Sequence, residues 1–155
     1  MGVDAEHGRM VVLDDIPAGF VPISRTSPLA ELIGPMYSRG TGYELALGMR
    51  AQHKHSNMRG IVHGGVLAAF ADMALGYTLA FASDPPTGLV TANLTIDYAG
   101  AAKIGDWMYT QTDVQRQGGR LAFANCYIYV GEQRIVRASG VFLMSDSKSA
   151  ATKES

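Results

Sequence analysis

The residues best suited to chemistry lie between Asn57 and Asp72, in the run Asn-Met-Arg-Gly-Ile-Val-His-Gly-Gly-Val-Leu-Ala-Ala-Phe-Ala-Asp. A polar loop passes there into an apolar, alanine-rich helical stretch, and one carboxylate, Asp72, sits more than two turns inside it. An acid in that position is costly to bury unless something uses it. The Gly64-Gly65 pair just upstream leaves bare backbone N–H groups at the helix start, where the positive end of the helix dipole also lies. A positive helix end and a lone carboxylate are the parts needed to polarise a carbonyl and steer water to it.

Other chemistries find less support. No serine stands in a Gly-x-Ser-x-Gly context and Cys126 has no motif around it, which argues against a nucleophilic triad. His53, His55 and His63 invite a zinc reading, but no Cys or acidic ligand completes a spacing, so no metal is expected and His53 and His55 read as solvated loop residues. Each singled-out residue also has a plainer role open to it. Asn57 could cap a turn, Thr91 could be an ordinary strand threonine, and Asp72 could be satisfied by a neighbouring Thr or Arg. Met58, Phe70, Met73 and Tyr77 read as core, and Tyr77, five residues past Asp72, lies off its helix face.

The elements that must position these groups follow from patterning. Ser27-Pro28 with Leu29, Leu32 and Ile33 predicts a short helix stopped by Gly34-Pro35. Tyr43 to Met49 alternates and predicts a strand. A long helix runs from about Gly64 to about Ala82, ended by Ser83-Asp84-Pro85-Pro86. Four strands follow, over 89–98, 107–117, 121–130 and 135–144. In the first, Val90, Ala92, Leu94, Ile96 and Tyr98 share one face and Thr91, Asn93, Thr95 and Asp97 the other. Gly118-Gly119 and Gly131-Glu132-Gln133 supply turns. Short turns predict that the four strands pair as an antiparallel meander. A helix apolar nearly all round must be wrapped by a curved sheet. With too few helices to cover both sheet faces, the outer face or an edge is expected to meet another subunit.

Composition bounds the rest. The chain has 155 residues, enough for one domain with a real core, and a formal net charge of −1, which offers no broad basic surface for nucleic acid. Its single cysteine agrees with a reducing compartment, and residues 1–10 carry no apolar segment of a signal peptide, so the cytoplasm is the expected location. Residues 61–82 carry only His63 and Asp72 as ionisable groups and are long enough to span a bilayer. Their Gly and Ala content, the absence of flanking Lys/Arg clusters and the alternation elsewhere favour a helix buried by a sheet, with no membrane partner. The expected organisation is a flexible N-terminal segment (1–20), one domain (21–145) and a flexible tail (146–155).

His63-Gly64-Gly65 at a helix start, Asp72 nine positions after the His, Asn57 six before it and strands after the helix resemble the hotdog-fold thioesterases, in particular the PaaI-type acyl-CoA thioesterases. Ala102-Lys103-Ile104-Gly105-Asp106 and Gly119-Arg120-Leu121-Ala122-Phe123 also look like segments of that family, and the resemblance covers roughly residues 40–145. It implies an α+β hotdog fold, a long helix wrapped by a curved antiparallel sheet of about five to six strands. It also implies roles. Asn57 matches the side-chain amide that helps hold the thioester carbonyl, and Gly64 the backbone N–H that is the other donor. Asp72 matches the general base or nucleophile, Thr91 a hydroxyl that orients water, and His63 a loop brace. Gly65, Arg120, Arg116 and Lys103 are the expected contacts to substrate, the three basic residues to coenzyme A phosphates. In this family the Asn/Gly loop and the acid facing one substrate come from different subunits, which implies a homodimer, often paired again as a dimer of dimers.

The expected activity is hydrolysis of an acyl- or aryl-CoA thioester to free acid and coenzyme A. No cofactor is expected beyond the coenzyme A of the substrate. The rival expectation is a hotdog module that binds acyl-CoA or an acyl carrier without turnover. A hotdog hydratase would need a His and acid pair in a differently spaced motif, which is not found.

Overall fold

The computed structural model describes residues 15–145, together with the backbone of β1 (Gly2–Val3) and β2 (Met10–Val11), which pair with each other alone. The tail expected at 146–155, and most of the segment expected at 1–20, lie outside the described residues. Within the latter, Phe20 is buried and packs edge-on against Trp107 at 5.2 Å between ring centres.

The short helix forms as its sequence predicts. α1 (Pro28–Ile33) starts on Ser27, whose Oγ accepts the Ala30 N–H at 3.2 Å, and ends where the Gly34 N–H bonds the Ala30 carbonyl. The main sheet contains β3 (Val21–Pro22), β4 (Tyr37–Arg39), β5 (Ala46–Arg50), β6 (Leu89–Tyr98), β7 (Trp107–Gly118), β8 (Leu121–Val130) and β9 (Gln133–Met144). Its order is β3-β4-β5-β7-β8-β9-β6, and every pair is antiparallel. The seventeen-residue helix α2 (Gly64–Ala80) lies on its concave side. This is the hotdog arrangement.

Seven strands replace the five or six expected, because β3 and β4 are two and three residues long and carry no readable alternation. The strand expected from Tyr43 begins only at Ala46, since Gly42–Glu44 closes as a single 3₁₀ turn. The meander also needs correction. β7, β8 and β9 follow one another as predicted, but β6 pairs with β9 and forms the far edge of the sheet. α2 separates β5 from β6, so the chain returns from the end of β6 across the helix head and re-enters the sheet beside β5. The return passes through buried Ala102, whose carbonyl accepts the Val62 N–H at 2.9 Å.

Small side chains let the helix sit close to the sheet. Ala122, Ala124, Cys126 and Ile128 of β8 face it, as do Val136, Ala138 and Phe142 of β9. A Cβ on Gly140 would stand 2.5 Å from the Phe142 ring and 3.0 Å from Leu75, so the close approach requires glycine there. From the helix side come Leu67, Phe70, Ala71, Ala74, Leu75 and Leu79, all buried. Among the described residues no helix is long and apolar enough to cross a membrane.

Candidate active site

The head of α2 is almost fully satisfied from within. His63 is the N-cap, and its Nδ1 accepts the Gly65 N–H at 2.8 Å, which puts the neutral ring's proton on Nε2. The His63 carbonyl accepts from Val66 (2.9 Å) and Leu67 (3.2 Å). Of the four orphan donors of a first turn, only the Gly64 N–H has no partner among the described residues. The Gly65 N–H, expected to touch substrate, is spent on the cap. A Cβ at this position would press on the His63 ring at 3.0 Å from Nδ1, so a larger residue would have to shift the cap.

Tyr98 holds the other side of Gly64. Its hydroxyl donates to the Gly64 carbonyl at 2.8 Å, and its ring stands 3.3 Å from where a Gly64 Cβ would be. Sequence reasoning missed this residue. The available signal was its place at the end of the inward row Leu94, Ile96, Tyr98, where a hydroxyl needs a partner.

The loop before the helix is braced by a buried histidine. His55 is 1 % exposed, which corrects its reading as a solvated loop residue. Its Nδ1 accepts the Gln52 N–H at 2.9 Å, its Nε2 therefore donates to the Ile33 carbonyl, and its own carbonyl accepts the His63 N–H at 2.8 Å. Burial lowers its pKa from the ordinary value of 6.5; the bond to Ile33 opposes this and the nearby Lys54 charge adds to it. Two residues on, Asn57 makes the turn that was its plainer reading: Oδ1 accepts the Arg59 N–H at 2.9 Å. That bond fixes the side chain through its oxygen and leaves the amide NH₂ free to donate.

Asp72 lies on a different seam, between α2 and the edge strand β6. It is half-buried, and Thr91 donates its hydroxyl to Asp72 Oδ1 at 2.7 Å. This contact contradicts the expected facing of the strand, which set Thr91 opposite Leu94, Ile96 and Tyr98. The register slips between Thr91 and Asn93, so Ala92 is an extra residue and the alternation changes phase. Leu89 and Thr91 before the bulge, and Leu94, Ile96 and Tyr98 after it, all face the helix, while Val90 points outward at 64 % exposure.

Two clusters therefore exist within one chain, and they do not meet. Gly64 and Asp72 are eight residues apart on one helix, about 12 Å along its axis. One carbonyl carbon cannot lie within bonding reach of both. The expected phosphate contacts divide in the same way. Lys103 is exposed beside the Asn57 loop, where it bridges Ile61 and its N–H bonds Asp106 Oδ2 at 2.8 Å. Arg116 and Arg120 are exposed at the β7–β8 turn, which Gln117 ties to the other end of α2 through the Leu79 carbonyl at 3.0 Å. The free thiol of Cys126 is fully buried and its pKa is pushed up to about 12 by burial, which makes it a poor nucleophile.

Comparison with known proteins agrees with this architecture. The chain is 42 % identical over 129 residues to PA0474 of Pseudomonas aeruginosa, provisionally named an esterase, covering 83 % of this chain and 96 % of that protein. It is 31 % identical over 77 residues to acyl-coenzyme A thioesterase 13 of Mus musculus, covering 50 % of this chain and 54 % of the mouse protein. Among solved structures, the E. coli PaaI protein of the phenylacetic acid degradation operon superposes with a TM-score of 0.71 at 19 % identity, covering 78 % of this chain and 86 % of that one. A hypothetical thioesterase of Streptococcus pneumoniae, solved with coenzyme A, gives a TM-score of 0.66 at 18 % identity, covering 71 % and 85 %. The family model of the thioesterase superfamily matches residues 59–136, from the loop before the helix head through to β9, and with the relationship to PA0474 this establishes that the chain belongs to the thioesterase superfamily.

Proposed function

We propose that the protein hydrolyses acyl-CoA thioesters to the free acid and coenzyme A, at a site shared between two copies of the chain. The observation that carries this reading is the lone open N–H of Gly64, on a helix head where every neighbouring donor is engaged. In this reading the Asn57 amide is the second donor, and donors held in place in advance suit the oxyanion of a tetrahedral intermediate. Asp72, held by Thr91, accepts a proton from the water that attacks the carbonyl carbon. The intermediate then collapses with loss of the coenzyme A thiolate, which takes up a proton. Water, a carboxylate and amide donors suffice, so the proposal includes no metal or redox cofactor. The names of the mouse relative and the coenzyme A-bound neighbour support coenzyme A as the thiol. Location in the cytoplasm is part of the same proposal.

The separation of the two clusters supports a dimer. β6 is a ten-residue strand at the edge of the sheet, with one side of its backbone unpaired among the described residues. Such an edge is a template for a second copy. An antiparallel partner would bring its own helix head toward Asp72.

Mixing inactive variants tests the shared site. Asp72→Asn and Asn57→Asp should each lose thiol release from an acyl-CoA panel. Unfolded and refolded together, they should recover a fraction of the wild-type rate, because each mixed dimer contains one intact site. No recovery, with mixed dimers demonstrated by a different affinity tag on each variant, would reject a site built across subunits. Tight binding of acyl-CoA by the wild type without thiol release would favour the non-catalytic module.

A further inference from the structure

We infer that Gly76 determines which acyl groups the site accepts; the inference rests on the thioesterase reading above and names a specificity residue for it. Gly76 lies inside α2, where glycine is the poorest helix former after proline. Nothing among the described residues requires it. Its φ is not in the left-handed region, so the backbone does not demand glycine. A Cβ added there would meet only Leu89 Cδ1 at 3.7 Å, an ordinary contact. Gly48 and Gly140 differ, since a Cβ there would collide with Trp107 at 2.3 Å and with Phe142 at 2.5 Å. Gly76 thus leaves room that no described residue fills.

The room lies beside the proposed chemistry. Gly76 is four residues past Asp72, one turn along the same helix face. Leu89 is two residues before Thr91, on the same face of β6. Asp72–Thr91 and Gly76–Leu89 are therefore successive rungs of one helix–strand seam. In this proposal the acyl substituent of a thioester carbon placed for attack at the first rung extends over the second. The second rung is lined by glycine backbone and an aliphatic side chain, with partly buried Met73 and Met144 packed on the same core. That lining suits an apolar acyl group and offers nothing to the amide-rich, charged arm of coenzyme A. The vacant Cβ position adds the room of one methyl group to that rung, which a bulky acyl group would use and an acetyl group would not.

Gly76→Ala and Gly76→Val test this, assayed for kcat/KM with acetyl-, hexanoyl- and benzoyl-CoA, alongside thermal midpoint and molecular mass. The ratio of kcat/KM for acetyl-CoA to that for benzoyl-CoA should rise by roughly tenfold or more in Gly76→Ala, and further in Gly76→Val. The thermal midpoint of Gly76→Ala should rise, because the helix gains a better former. Three results would overturn the inference: an unchanged ratio, a uniform loss across all three substrates, or dissociation of the oligomer, which would mean that the gap admits a partner helix. A wild type releasing thiol from none of the three would defeat the thioesterase reading itself, and the inference with it.

Discussion

The head and the middle of the central helix are built differently. At the head, His63, Tyr98, His55 and the Asx turn of Asn57 hold the backbone from several sides, and one N–H remains open. In the middle, Asp72 has one recorded partner, the Thr91 hydroxyl on an edge strand. The donor end is finished inside one chain; the acid end lies along an edge strand with a single hydrogen bond to hold it. Donors for a developing negative charge must be rigid before the reaction starts, since reorganising them would cost the stabilisation they supply. A general base needs room for water and substrate, so a single orienting hydrogen bond is enough.

The largest expected effect tests the middle. Asp72→Asn should lower kcat by about 10²–10⁴-fold, the range for loss of a positioned base. Its thermal midpoint should stay near wild type, because only the Thr91 contact changes. Activity within tenfold of wild type would remove Asp72 from the chemistry.

The head should respond in stability as well as rate. His55→Ala strands the Gln52 N–H and the Ile33 carbonyl, at a cost of about 2–3 kcal/mol in urea unfolding. The pH dependence has a definite sign. The folded pKa of His55 lies below the unfolded 6.5, so the unfolded chain binds the extra proton first. The wild type should therefore lose stability as the pH falls from about 6.5 toward the lower folded value. In His55→Ala that arm should flatten, and an unchanged slope between pH 7 and 5 would show that His55 is not its source.

The smallest effect should come from Tyr98→Phe, which removes one hydroxyl from the Gly64 carbonyl and keeps the ring. About 1 kcal/mol is at stake, seen as a several-fold fall in kcat with KM little changed. A rise in KM alone would place Tyr98 in substrate binding instead of support for Gly64.

Much of this contrast was readable before the structure. The cap, the Gly-Gly step and the acid lie within sixteen consecutive residues, and short-range spacing fixes their relation on one helix. Helix α1, helix α2 and the β7-β8-β9 hairpins followed from capping, periodicity and turn residues. Two of the errors of placement share a cause. The face of Thr91 depends on a bulge whose register is set by β9, some fifty residues later in the chain. The burial of His55 depends on the end of α1, twenty-two residues earlier.

The amino-acid sequence alone determined the elements, the cap and the separation of Gly64 from Asp72, because helix rise, side-chain period and capping act over a few residues. Only the tertiary structure decided that β6 takes the open edge, that Ala92 bulges and turns Thr91 onto Asp72, and that Tyr98 and His55 lock the helix head. Those outcomes come from contacts between distant segments, whose register is selected by the packing of the whole sheet against one helix and not by any local preference.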